Sequence, residues 1–357
     1  KKKMKKHNFS AGPSILADEV ISKASKSVIE LNNIGLSLIE ISHRSPDFVA
    51  IMDKARELSL ELLNLDKEKY TALFLQGGAS LQFLMSAYNL LETKAAYINT
   101  GSWSDKAIKE AKLLGEVHEI ASSKSKNYNH IPKNILIEND YDYLHITTNN
   151  TIYGTQFHEI PNTNIPLVAD MSSDIFSRNV DFSKFDLFYA GAQKNLGPSG
   201  VTLVVVKKEI LGKVSRNIPS MLNYSIHIDK DSMFNTPPVF PTYVCLLTLE
   251  WLKNNGGLDA IEKLNNYKAK LIYDEIDRNK AFVGFAEIED RSLMNATFNL
   301  VNGVDGKKFN ELCLKNNISG IKGHRSVGGY RASIYNALPI ESVEILIDTM
   351  KKFENLI

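Results

Sequence analysis

The stretch Phe185-Asp186-Leu187-Phe188-Tyr189-Ala190-Gly191-Ala192-Gln193-Lys194-Asn195-Leu196-Gly197-Pro198-Ser199-Gly200 passes from an apolar segment into small residues around one lysine. A second apolar run, 201–206, follows at once and has the composition of a buried strand. Lys194 therefore stands between two strands, where a solvated surface lysine is out of place. The flanking glycines and alanines let a bulky group approach the backbone closely. A lysine held partly out of water has a lowered pKa and can attack a carbonyl carbon to form a Schiff base. The same residues also suit a plain turn lysine, because glycine-rich segments are the usual punctuation between elements.

Outward from this stretch, strand and helix patterns alternate. Runs at 70–75, 95–98, 116–120, 142–147, 166–169 and 186–189 read as strands. Helical spacing of apolar residues occupies 18–31, 46–63, 79–91, 103–114, 244–255 and 258–277. This alternation predicts an α/β fold with a parallel or mixed sheet covered on both faces. Past Gly256-Gly257 the texture changes: a strand at 295–300, a helix near 306–316, a strand at 330–334 and a last helix after Pro339. The expected division is a large domain, 14–256, and a small C-terminal α+β domain, 257–357, with the segment 1–13 packing near the latter. In such sheets ligands bind beyond the carboxyl ends of the strands, so the loops after strands are the ones to search.

Composition narrows the class. The 357 residues are 43% hydrophobic and 23% charged with a net charge of +1, ordinary for a globular enzyme and poor for a nucleic-acid binder. The one basic run, Lys1-Lys2-Lys3-Met4-Lys5-Lys6, reads as a solvated terminus. Cys245 and Cys313 fall in helical patterns with neither disulfide nor zinc spacing, which suits a reducing cytoplasm; no metal site is expected. No apolar run is long enough to span a bilayer and no secretory signal is found, so no membrane is expected as a partner.

Three loops carry candidate chemistry. Gln76-Gly77-Gly78-Ala79-Ser80 follows a strand and opens a helix, so its free amides suit a phosphate, though a tight turn explains it as well. Asp170 ends the strand run 167–169; it is either a cap or the partner of a buried cation. Together with Lys194 it supplies the two groups that pyridoxal phosphate needs, an amine for the imine and a carboxylate for the ring nitrogen. The freed amine can then shuttle a proton at the substrate Cα. Third, Gly323-His324-Arg325-Ser326-Val327-Gly328-Gly329-Tyr330-Arg331 gathers cationic and imidazole groups among glycines, and His43-Arg44 repeats the pair upstream. Surface ion pairing would explain any one of these arginines. The set suits a ligand with a carboxylate at one end and a dianion at the other.

The motifs Asn8-Phe9-Ser10-Ala11-Gly12-Pro13, Ser42-His43-Arg44, Gly191-Ala192-Gln193-Lys194-Asn195, Ser232-Met233-Phe234-Asn235-Thr236-Pro237-Pro238, Gly323-His324-Arg325 and Arg331-Ala332-Ser333-Ile334-Tyr335-Asn336-Ala337 resemble the phosphoserine aminotransferase family, in order, from about residue 7 to the end. The resemblance implies a fold-type I, pyridoxal-phosphate-dependent homodimer with shared active sites, its large domain built on a mostly parallel seven-stranded sheet. Its reaction interconverts 3-phosphohydroxypyruvate plus glutamate with O-phosphoserine plus 2-oxoglutarate, in serine biosynthesis. Carried onto this sequence, Lys194 bears the cofactor and Asp170 faces its ring nitrogen. Trp103 stacks on the ring and Thr151 bonds the phenolic oxygen; as isolated residues these two would equally be core packing and a turn threonine. Ala79, Ser80 and Gln193, with Asn235 and Thr236 of the other subunit, form the phosphate cup. Arg331 takes the α-carboxylate, and His43, Arg44, His324 and Arg325 hold the distal anion, some across the dimer interface. Some members carry Gly-Arg where this chain has Ala79-Ser80, so this loop adds amides but no charge.

Other readings stay open on sequence. A cysteine desulfurase needs a mobile reactive cysteine, which neither helical cysteine offers. An aminotransferase for a small non-phosphorylated amino acid would have no use for the distal cations. A non-catalytic cofactor-binding module would be expected to lack Lys194 or Asp170. The sequence leaves undecided whether 4-phosphohydroxythreonine is a further substrate.

Overall fold

The computed structural model describes residues 6–357; residues 1–5, with most of the basic run, lie outside the described residues. Seven strands, β1 (Tyr70–Leu75), β2 (Lys94–Asn99), β3 (Glu116–Ser122), β4 (Leu144–Thr147), β5 (Leu167–Asp170), β6 (Leu187–Gly191) and β7 (Thr202–Lys207), form one sheet in the order β1-β7-β6-β5-β4-β2-β3. From β3 across to β6 all neighbours are parallel. Strand β7 runs antiparallel to both its neighbours, its Thr202 facing Leu75 on one side and Gly191 on the other. The carboxyl ends of β1 and β6 therefore share one edge with those of the other parallel strands.

The near-continuous apolar runs reflect burial on both faces. Alternate residues feed opposite layers, as the two-residue period of a strand demands. Phe74, Ile98, Ile146, Ala169, Phe188 and Val205 pack in one core, and Leu73, Tyr97, Tyr143, Val168, Tyr189 and Val204 in the other. The helices in this part are α1 (Asp18–Ile29), α2 (Pro46–Leu62), α3 (Gly78–Leu90), α4 (Ser102–Ala111), α5 (Tyr224–Asp229) and α6 (Val239–Asn254). Helix α2 opens at a cap, the Ser45 hydroxyl accepting the Phe48 amide at 3.4 Å with Pro46 in the first turn.

The rest builds a second core. Helix α7 (Gly257–Arg278) leads into β8 (Phe282–Gly284), β9 (Asn295–Leu300), α8 (Lys307–Lys315), β10 (Tyr330–Ser333) and α9 (Ile340–Glu354). Strands β8, β9 and β10 form an antiparallel sheet in that order. Helix α7 serves both cores: Leu258 and Ile261 pack into the first, Ala269, Ile272 and Ile276 into the second. The N-terminal segment joins the second core through Phe9, after His7–Asn8 pairs in parallel with Ile318–Ser319. It then crosses to the large sheet, where the Ser14 amide donates to the Gln193 carbonyl at 2.9 Å and its hydroxyl to the Lys194 carbonyl.

Candidate active site

Five loops meet at the carboxyl edge of the large sheet. Strand β5 continues one residue past the expected end, so Asp170 is its last residue, 4% exposed. Its Oδ1 accepts the Ser172 amide at 2.9 Å, so the capping role read from sequence is real for one oxygen. Burial pushes its pKa up while the nearby Lys194 ammonium pulls it down. Lys194 follows β6, and its Nζ donates to Thr151 Oγ1 at 2.8 Å. Its pKa is lowered to about 8, first by burial, with Asp170 acting against this and Arg331 with it.

Thr151 lies in the turn joining the short paired segments Asn149–Asn150 and Thr155–Gln156. Its carbonyl accepts Arg331 Nη1 at 3.1 Å. Thr151 thus holds Lys194 on its side chain and Arg331, from β10, on its backbone. Arg331 Nε is enclosed and makes no hydrogen bond among the described residues. Trp103 opens α4, with Lys194 Nζ 5.8 Å from its ring centre. The α4 start is tied to the Thr151 turn by Ser102 Oγ and Tyr153 OH at 2.9 Å and by Thr100 Oγ1 donating to Asn150 Oδ1 at 3.3 Å.

A second lysine has a depressed pKa. Burial lowers Lys268 to about 7. Geometry decides which of the two can react: Lys268 is 0% exposed and its ammonium is spent on three backbone carbonyls. Lys194 is half-buried and its amine is bonded to one side-chain hydroxyl, which leaves it the better placed of the two to react.

The outer ring is less tightly bound. The His324 imidazole is held below its usual pKa by burial, then by Arg331, Arg325 and Lys106, which brings the 323–329 loop within electrostatic reach of α4 and the cleft. Lys106 Nζ sits 4.4 Å over the Trp103 ring. Sequence reading missed it, although a lysine three residues after Trp103 on a helix shares its face. Ala79 and Ser80 form the first turn of α3, reached through Gly77 at φ 93° and Gly78 at φ 66°. Gln193 lies beside Lys194, its side chain against Gly191.

Among the described residues only Thr151 of the expected set is hydrogen-bonded to Lys194, and Asn235, Thr236, His43 and Arg44 lie in two segments that no hydrogen bond or ion pair ties to it. Asn235 donates to Gln76 Oε1 at 3.5 Å and the Thr236 carbonyl accepts Gln76 Nε2 at 2.5 Å, which holds both at the surface before α3. His43 and Arg44 lie in the loop before α2, Arg44 exposed and without an ion pair among the described residues. Cys245 and Cys313 are free and buried, and burial pushes both thiols up, away from nucleophilic chemistry.

The family model described as Aminotransferase class-V matches residues 6–346. The chain belongs to the class-V aminotransferases. Pyridoxal 5'-phosphate is the cofactor of this family. Among curated relatives, the phosphoserine aminotransferase of Flavobacterium psychrophilum is 62% identical over 356 residues, covering 99% of this chain and 100% of the relative. A solved structure described as radiation damage of the Schiff base in phosphoserine aminotransferase superposes with a TM-score of 0.96 at 48% identity, covering 99% of both chains. The pyridoxal-phosphate-bound phosphoserine aminotransferase of Trichomonas vaginalis gives a TM-score of 0.91 at 34% identity, covering 97% of this chain and 100% of that one. The seven-stranded sheet is thus that of fold-type I aminotransferases, as the sequence predicts. No helix among the described residues is long and apolar enough to cross a membrane.

Proposed function

We infer that the chain is a transaminase interconverting 3-phosphohydroxypyruvate plus glutamate with O-phosphoserine plus 2-oxoglutarate, the amino-transfer step of serine biosynthesis. The observation that carries this reading is Thr151 joining Lys194 and Arg331, which sets a reactive amine beside a guanidinium free to take a carboxylate. The residues fit the cofactor: a lowered-pKa lysine, a buried carboxylate in need of a cation, and the face of Trp103 near the amine. When bound, pyridoxal phosphate supplies an aldehyde carbon and a ring that spreads negative charge from the substrate Cα.

The chain's own groups do the rest. Lys194 holds the cofactor, then takes and returns the Cα proton at Nζ. Asp170 would hold a cationic ring nitrogen, each charge offsetting the cost of the other's burial. Trp103 would offer its face to the ring and keep water from it. The amides of Ala79 and Ser80 at the positive end of α3, with Gln193, receive the cofactor phosphate. Arg331 orients the α-carboxylate. His43, Arg44, His324 and Arg325 meet the distal dianion.

This assignment goes with a homodimer in which Asn235, Thr236, His43 and Arg44 act on the partner's cleft. It is supported by the exposed apolar residues Ile29 (84%), Leu36 (50%) and Ile39 (63%) just before His43 and Arg44, a surface suited to a second copy. The two cores support a division into 14–256 and 257–357, with the segment after residue 5 packed on the smaller part. Free buried cysteines support a cytoplasmic location. The test is a comparison of O-phosphoserine with serine as donors to 2-oxoglutarate. Phosphoserine is expected to be strongly preferred, and Arg44→Ala or Arg325→Ala to weaken it by about 1.5–3 kcal/mol, the loss of one charge-assisted hydrogen bond. Equal kinetics for the two donors would eliminate the distal-anion assignment and leave a plain amino-acid transaminase.

A further inference from the structure

Lys268 is a lysine with no place in the chemistry above, yet it is 0% exposed at the middle of α7. Its three N–H donors are matched by three carbonyls: Ile334 at 3.0 Å, Tyr335 at 2.8 Å and Leu338 at 3.3 Å. An ammonium has three donors and no acceptor, so the arrangement uses it completely. No carboxylate is hydrogen-bonded to it among the described residues. Those carbonyls belong to the turn that leaves β10 after Ser333, on the strand that carries Arg331.

The same turn reaches the other two reactive loops. Asn336 sits in it, and its amide donates to Asn195 Oδ1 at 3.0 Å, next in sequence to Lys194. The Asn336 side chain donates to the Phe176 carbonyl at 2.8 Å, in the segment that follows Asp170. Asn195 Nδ2 donates to the Ile175 carbonyl of that segment at 3.1 Å. Asn265, three residues before Lys268 and so on the same face of α7, donates to Asn336 Oδ1 at 2.8 Å and to the Ser177 carbonyl at 2.9 Å. One helix face thereby fixes a single turn against both the Lys194 and the Asp170 loops, and all the side chains involved are buried.

We propose that Lys268 is a positioning residue for the transamination: by clamping the 334–338 turn it sets, through Asn336 and Asn195, where Lys194 stands relative to Asp170 and Arg331. A purely stabilising lysine would need only to fill its site. This one ends a chain of contacts whose other end is Asn195, the residue next in sequence to Lys194. Displacing that amine by a fraction of an ångström is enough to slow proton transfer.

The inference rests on Lys194 as the cofactor-bearing lysine. The experiment uses the holoenzyme and compares wild type, Lys268→Met and Asn195→Ala at a temperature where each is fully folded by circular dichroism. Two quantities are read: the pH midpoint of the visible absorption of the bound cofactor, and kcat with phosphoserine. Both variants are expected to shift the midpoint in the same direction and to lower kcat by about tenfold, with the double variant no worse than the more affected single one. Where Lys268→Met does not fold, Lys268→Gln, which keeps N–H donors but not all three bonds, is read in the same way beside Asn195→Ala. A variant that loses thermal stability but keeps the wild-type midpoint and kcat overturns the proposal. A wild-type holoenzyme with no visible band would overturn the functional reading along with it.

Discussion

At the scale of single residues, the account turns on amines and guanidinium groups held out of water. In the apoenzyme Lys194 has a pKa near 8 against 10.5 for a free lysine, with burial as the main cause. Uptake of pyridoxal phosphate by the apoenzyme is therefore expected to quicken with pH and level off above about 8, followed by stopped-flow absorbance; an uptake still rising at pH 10 would speak for an exposed lysine. The sign for stability follows. Between about 8 and 10.5 the unfolded chain holds more protons at this position than the folded one, so the group makes apoenzyme stability rise with pH across that window. Urea midpoints of wild type and Lys194→Met at about pH 7 and about pH 9 (chosen to bracket about one unit either side of the folded pKa) measure it. Arg331→Ala is expected to weaken glutamate and phosphoserine alike, by roughly 1.5–3 kcal/mol, because both carry the α-carboxylate; a loss confined to phosphoserine would reassign Arg331 to the distal anion. Much of this site was legible in the residues themselves. Lys194 announced itself by its small neighbours, and Asp170 by ending an apolar strand. Lys106 could have been read from its i,i+3 spacing to Trp103, whereas Lys268 could not, since its meaning lies in carbonyls some seventy positions away, which no local pattern encodes.

At the scale of elements, the site depends on turns that only glycine can make. Gly154 has φ 72°, and a Cβ there would meet Thr297 Oγ1 at 2.3 Å and the Asn295 carbonyl at 2.8 Å. That close approach seats the Thr151 turn on β9, where Thr297 Oγ1 also donates to the Tyr153 carbonyl at 2.8 Å. Gly154→Ala is expected to cost about 1–3 kcal/mol from the strained backbone and the clash, read by urea denaturation. Its kcat is expected to fall as well, because Thr151 carries both Lys194 and Arg331. Unchanged kcat in a folded variant would detach the turn from the chemistry. The strands and long helices were readable because apolar runs and helical spacing are local signals: β1 and β9 match their expected bounds. The sheet order, the antiparallel β7 and the short β8 were not, because pairing partners are chosen by the whole packed sheet. The N-terminal segment was expected beside the small domain, and its onward bond to the Lys194 carbonyl could be seen only in three dimensions.

At the scale of the whole molecule, one helix, α7, runs between two cores, and a buried polar network spans the same junction. Asn149 Nδ2 donates to Ser173 Oγ and to Asn295 Oδ1, both at 2.8 Å, and Asn295 in turn donates to Ser333 Oγ at 3.0 Å. Such a junction keeps the loops of both parts in fixed relation, which suits a site assembled from Asp170, Lys194 and Arg331 together. In the dimeric reading, a charge placed in the exposed apolar patch, Leu36→Glu, is expected to yield monomers by sedimentation velocity. Activity should be lost with them, since the partner's His43 and Arg44 leave the cleft. Monomers with full phosphoserine activity would show that one chain suffices. The central claim is narrower and more directly tested: of the two lysines drawn out of water, Lys194 is the one that bears the cofactor. Borohydride reduction of the holoenzyme, followed by proteolysis and mass spectrometry, is expected to leave the cofactor's mass on the peptide containing Lys194 and on no other. Label on the peptide containing Lys268, or no labelled lysine at all, would contradict it.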